Sequence, residues 1–221
     1  ATIVSAVEEG RRIYGNIRNS TSYLLSVSFA ELAMIFFGLA LGLPLPLLAV
    51  QILWINIVAE ELPAIGLSVE PLHADIMRRK PRDPKEPMPS RSLLTYTLVI
   101  AAVIVAGSLG LYIMSLRMGH DLSYARTIGF TALGFFTIYN AYSSRSLEKS
   151  VLRMNPLGNK MLILGMFASV IAVLSVVYIP FMQSIFETKP LTSESLGLIF
   201  AVAFMVILVA EVMKKFLPGL R

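Results

Sequence analysis

The chain has 221 residues, 56% of them hydrophobic and 15% charged, with a mean hydropathy of +0.72. A soluble domain carries about 25% charge, so this composition excludes that class and points to a multi-pass membrane protein. The net charge of +5 does not signal nucleic-acid binding, because Lys and Arg lie between apolar runs, and the lack of cysteine excludes disulfides and thiolate metal sites.

The chain opens Ala-Thr-Ile, without an initiator Met or a signal peptide, as expected of a processed chain or a piece of a longer one. Residues 1–21 are polar, with Glu8, Glu9, Arg11, Arg12 and Arg18. Ile3, Val4, Val7, Ile13, Tyr14 and Ile17 recur at helical spacing, which predicts an amphipathic cytoplasmic stalk running into the first span. Apolar runs near the length a bilayer requires follow at 22–42, 46–67, 93–116, 127–143, 160–181 and 196–213. The fourth is interrupted by Thr131, Thr137 and Asn140. The expected fold is an all-α six-helix transmembrane bundle. Its parts are a helix hairpin over 22–67, a basic loop over 68–92, a four-helix supporting bundle over 93–216 and a tail over 217–221.

Leu43-Pro44-Leu45-Pro46 holds two prolines and no charge, which predicts a tight turn between the first two spans. Pro71, Pro81, Pro84, Pro87 and Pro89 predict an extended, stiff loop over 68–92. No fixed-period repeat is present, against an inverted-repeat transporter half. The basic residues set the orientation. Sixteen of the 19 Lys and Arg fall on one side: Arg11, Arg12, Arg18, Arg78, Arg79, Lys80, Arg82, Lys85, Arg91, Arg145, Lys149, Arg153, Lys160, Lys214, Lys215 and Arg221. Arg117, Arg126 and Lys189 fall on the other. That asymmetry places both termini in the cytoplasm.

Glu31, Glu60 and Glu61 stand inside the first two spans. A carboxylate at mid-bilayer costs roughly 3 kcal/mol or more, so an intramembrane acid reads by default as part of an ion or proton pathway. Asn56 and Glu60, four residues apart, share a helix face, while Glu61 is turned about 100° from Glu60. Pro63 offers no N–H to the carbonyl of Ala59, which becomes an oxygen ligand in the making. Ser28 lies one turn before Glu31. Counted from the cytoplasmic ends, Glu31 is about 13 Å deep and Glu60 about 9 Å, so adjacent antiparallel helices can bring both to one point. Carboxylate, amide and carbonyl oxygens suit a hard cation such as Ca²⁺ or Mg²⁺, or a proton, and not copper or zinc. The competing reading is that the acids are protonated or paired glue between helices. Adjacent Glu60 and Glu61 can also share a proton, one of them then being a counter-ion.

Among other residues, Trp54 and the methionines read as packing. His73 and His120 read as solvated loop residues, and Gly107, Gly110 and Gly165 as sites of close helix approach.

Tyr23-Leu24-Leu25-Ser26 leading to Glu31, Leu53-Trp54-Ile55-Asn56-Ile57-Val58 and Leu62-Pro63-Ala64 resemble the C-terminal transmembrane half of P-type cation-transporting ATPases, the calcium-pump-like members above all. Asp75-Ile76-Met77 through Pro81-Arg82 and Pro84-Lys85-Glu86-Pro87 resemble the cytoplasmic loop that follows. Glu8-Glu9-Gly10-Arg11 with Ile13-Tyr14 resembles the stalk of the fifth helix. Asn140-Ala141 with Leu152-Arg153-Met154, and Glu211-Val212 with Lys215-Phe216, resemble the ends of the eighth and tenth. The resemblance implies helices five to ten of a pump, with Glu31, Asn56 and Glu60 as ligands of the transported cation, Ca²⁺ favoured over Mn²⁺, Na⁺ or H⁺. Ser28 stands where two-site pumps have Asn, Ala59 where they have Thr and Thr137 near an eighth-helix Glu. Glu60 is one methylene longer than the usual Asp, and Glu61 replaces Gly. These departures imply one ion, with proton counter-transport through Glu31 or Glu61.

The resemblance also implies partners: the first four helices and the actuator, phosphorylation and nucleotide domains, through which Mg²⁺ and ATP act, besides the lipid bilayer. The sequence lacks an Asp-Lys-Thr-Gly phosphorylation motif, so the chain alone is expected neither to hydrolyse ATP nor to transport. A secondary cation or proton transporter or channel, working without ATP, is the alternative that the same acids would serve.

Overall fold

A computed structural model describes residues 2–71, 76–78 and 89–217, and within them every regular element is helical. α1 (Thr2–Ala40) is one unbroken helix of 39 residues, so the amphipathic stalk and the first span share a single rod of about 58 Å. It ends at a turn through Gly42, whose φ of +70° a side chain would resist, and then at Pro44 and Pro46. The second span begins as α2 (Ala49–Trp54), widens into a π-helical turn over Ile55–Glu60 and resumes as α3 (Glu61–Ser68). Next come α4 (Arg91–Arg117), α5 (Leu122–Ser143), α6 (Lys160–Tyr178), α7 (Pro180–Phe186), α8 (Ser193–Ala203) and α9 (Met205–Phe216). Ser90, Asp121, Asn159 and Thr192 accept a backbone N–H at the starts of α4, α5, α6 and α8.

Five helical segments are long and apolar enough to cross a membrane: Thr2–Ala40, Ala49–Ser68, Arg91–Arg117, Lys160–Tyr178 and Ser193–Phe216. The sixth expected span is α5, less apolar but 22 residues long, about 33 Å. Its position explains its composition. α5 packs against α4, α6, α8 and α9, and residues 127–138 are buried throughout, so it presents little surface to lipid. Phe130, Phe135 and Phe136 fill the centre of the bundle, with the Phe135 ring tilted against that of Phe200, centroids 4.3 Å apart.

The fifth span ends earlier than the apolar run to 181 predicts. Ile179 leaves helical geometry at ψ 119° before Pro180, which then starts the short α7. Ile76–Arg78 form one 3-10 turn where an extended loop was expected. The other expectations for the basic loop fall on residues 72–75 and 79–88, including His73, Pro81, Pro84, Lys85 and Pro87, and lie outside the described residues. Gly107 and Gly165 sit at close approaches, to the Phe136 ring and the Leu62 carbonyl respectively, whereas Gly110 faces open space and packs nothing. Trp54 packs as expected, edge-on to Phe186 at 5.1 Å. His120 is exposed and bonded to Ser115 at 3.1 Å.

At the stalk end of the bundle, buried polar groups tie the helix termini together. Arg145 pairs with Glu70 at 2.9 Å, both about 2% exposed, and also donates to the carbonyls of Asn155 and Pro156. Asn159 donates to Glu70 at 2.6 Å and to the Gly66 carbonyl at 2.8 Å. Asn16 on α1 reaches the carbonyls of Ser68 and Glu70, and Lys214 on α9 donates to the last-turn Ser143 carbonyl of α5. At the hairpin end, Arg126 donates to the Leu45 carbonyl and Tyr112 to that of Pro44. There Lys189 bonds Asp121 at 2.7 Å and, with the Tyr124 N–H, holds that carboxyl below its ordinary range.

Candidate cation site within the membrane spans

The site is built where α1 passes the widened turn of the second span. A π turn adds one residue to the helical repeat and usually marks a functional interruption of an α-helix. Its position has a local cause. Pro63, three residues beyond, has no N–H for the carbonyls of Val58 or Ala59, and the α-helical ladder cannot continue unbroken there.

Glu31 enters from α1, 6% exposed, and Glu60 closes the π turn at 4%. Asn56 bridges the two helices: its Nδ2 donates to Glu31 Oε2 at 3.1 Å and to the Ile52 carbonyl at 3.1 Å. The other Glu31 oxygen, Oε1, is buried without a partner among the described residues. Glu60 lies within electrostatic reach of both Glu31 and Glu61. Ala59 is fully buried beside it. The structure thus gathers Glu31, Asn56, Ala59 and Glu60. Ser28 and Glu61 instead lie on exposed faces of α1 and α3.

Three residues support the turn that were not singled out for this role from sequence. Tyr23 is fully buried in α1 and donates its hydroxyl to the Glu60 carbonyl at 3.2 Å. Ser26 bonds the Tyr23 carbonyl at 2.7 Å and accepts from Asn140 of α5 at 2.8 Å. Ser169 of α6 donates to the Val58 carbonyl at 3.2 Å. The carbonyls on either side of Ala59 are therefore held by side chains from two different helices. Thr137, deep in α5, keeps a buried hydroxyl with no partner among the described residues.

Such a site offers two carboxylates, an amide and backbone oxygens, a donor set for a hard cation. Among the described residues no group of three or more His, Cys, Asp or Glu converges as a self-sufficient metal cage. A cation held here needs carbonyl or amide oxygens in addition to the acids, or ligands from outside this bundle.

Comparison with known proteins gives a consistent picture. A family model described as "Cation transporting ATPase, C-terminus" matches residues 44–216. The chain is 38% identical over 214 residues to human calcium-transporting ATPase type 2C member 1, a match covering 97% of this chain and 23% of that protein. It is 37% identical over 219 residues to calcium-transporting ATPase 1 of Yarrowia lipolytica, covering 99% and 24%. To a calcium-transporting ATPase of Bacillus subtilis it is 40% identical over 193 residues, covering 87% and 22%. The chain spans about a quarter of the length of these relatives.

Proposed function

The chain belongs to the cation-transporting ATPase C-terminal family, and from that premise we propose that it is the membrane domain of an ATP-driven pump and supplies the intramembrane ligands of one transported Ca²⁺. The observation that carries this reading is the Glu31–Asn56 contact beside the π turn ending in Glu60. Buried acids at a helix interruption are costly in a membrane and are retained where they serve an ion. Ca²⁺ accepts irregular sets of six to eight oxygens, so carboxylates of mixed length together with an amide and carbonyls suit it better than they suit the rigid octahedron of Mg²⁺.

ATP and Mg²⁺ act through cytoplasmic domains elsewhere in the full-length pump, and the first four helices complete the cage. Ser28 and Glu61, exposed on this bundle, face those partners. The stalk end lies in the cytoplasm, with both ends of the chain and the basic loops, a reading supported by the distribution of Lys and Arg. The π turn gives the site a place to yield, since a helix already interrupted changes its local twist at little cost.

The test is phosphorylation of the full-length pump from ATP as a function of Ca²⁺. Glu60→Ala removes a charged ligand and is expected to abolish Ca²⁺-dependent phosphoenzyme while leaving the protein in the membrane. Retained Ca²⁺ dependence would refute the assignment. Mn²⁺, Na⁺ and H⁺ are scored in the same assay, and the wild-type response to each identifies the cargo.

A further inference from the structure

α6 brings no carboxylate or amide to the cation site, yet it follows the ion-site helix along most of its length. Its buried stripe is Leu162, Gly165, Ser169, Val173, Val176 and Val177. The indole of Trp54 donates to the Ala172 carbonyl at 3.3 Å. Further along, Ser169 donates to the Val58 carbonyl at 3.2 Å, and Asn159 to that of Gly66 at 2.8 Å. Between these bonds the two backbones touch. A Cβ at Gly165 would collide with the Leu62 carbonyl oxygen and stand 3.2 Å from the Pro63 nitrogen.

The chemistry of Pro63 makes the Ser169 bond more than packing. In a π turn the N–H at position 63 would serve the Val58 carbonyl, five residues back. In an α turn it would serve Ala59, four residues back. Proline serves neither. Ser169, itself fully buried, donates to the first of these two carbonyls, supplying a donor that position 63 lacks where backbone polar groups are costly to leave unmet.

We propose that Ser169 is a positioning residue for the cation site: by holding the Val58 carbonyl it fixes the widened turn and leaves the Ala59 carbonyl as the backbone oxygen available to the cation. Gly165 permits this, because only a residue without a side chain lets α6 reach the Leu62-Pro63 peptide. The inference rests on the reading of Glu31, Asn56 and Glu60 as the ion site. It adds a control exerted from a helix that contributes no ligand.

The experiment compares Ser169→Ala, Ser169→Thr, Ser175→Ala and Glu60→Ala in the full-length pump, reading phosphoenzyme per molecule against Ca²⁺ concentration. Ser175 is the matched control, since its hydroxyl bonds only the Ala172 carbonyl of its own helix. Ser169→Ala is expected to raise the Ca²⁺ concentration for half-maximal phosphorylation roughly five-fold, the factor one hydrogen bond carries, with an unchanged maximum. Ser169→Thr keeps the hydroxyl and restores the wild-type value, and Ser175→Ala does not shift it. If Ser169→Ala superimposes on wild type, or shifts no more than Ser175→Ala, while Glu60→Ala abolishes the response, the role of α6 is refuted and the ion site stands. If Glu60→Ala retains the response, the ion-site reading falls and this inference with it.

Discussion

Glu31 is the residue on which two helices meet, one oxygen taken by Asn56 and the other buried and unpartnered. Glu31→Gln keeps the size of the side chain and an oxygen for Asn56 to donate to, but removes the charge. The expected outcome in the full-length pump is a pump present at normal abundance with Ca²⁺ affinity lowered at least ten-fold, measured by Ca²⁺-dependent transport into vesicles. Transport with wild-type affinity would remove Glu31 from the ligand set. Glu31, Asn56 and Glu60 stood out in the sequence as candidate ligands because a charged or amide residue inside an apolar run has few bland explanations. Ser169, Ser26 and Tyr23 were not, for a definite reason. A serine in an apolar helix ordinarily bonds a carbonyl of its own helix, as Ser108 does with Ile104 at 2.6 Å. Sequence alone does not distinguish that hydroxyl from one donated across to a neighbour. Gly165 and Ser169, four apart and so on one face of α6, were the visible trace, and Ser175 in the same helix gives the sequence nothing to tell the two serines apart.

At the scale of elements, hydropathy located the spans but not their interruptions. The π turn follows from Pro63 in retrospect, yet a proline near a helix end is equally compatible with a kink or a stop. α7 begins at Pro180 inside a run that length and hydropathy assigned wholly to the fifth span. α5 shows the opposite case: its polar interruptions weakened its signal as a span because its neighbours, not lipid, cover it. The junction between α3, α5 and α6 is held by Arg145 and Glu70, and here the physics gives a sharp expectation. Arg145→Met leaves Glu70 buried with Asn159 as its remaining side-chain partner, which costs about 3–5 kcal/mol. The thermal transition of the purified full-length pump is expected to fall by several degrees. The double variant Arg145→Met with Glu70→Leu recovers much of that loss, because no unpaired charge remains. An unshifted transition in Arg145→Met would mean that the pair does not hold this junction.

For the molecule as a whole, orientation decides which end of the bundle faces the cytoplasm. The chain contains no cysteine, so this domain adds no background thiol to single-cysteine labelling. A cysteine replacing Arg153 is expected to react with an impermeant maleimide only from the cytoplasmic side, and one replacing Lys189 only from the other. Reaction of both from one side would overturn the topology. The proposed single Ca²⁺, held where α1 meets the π turn, is read out by equilibrium binding of radioactive Ca²⁺ to the full-length pump. One bound ion per wild-type molecule is expected, and none above background in Glu60→Ala at the same concentration. Undiminished binding in Glu60→Ala would contradict the proposed site.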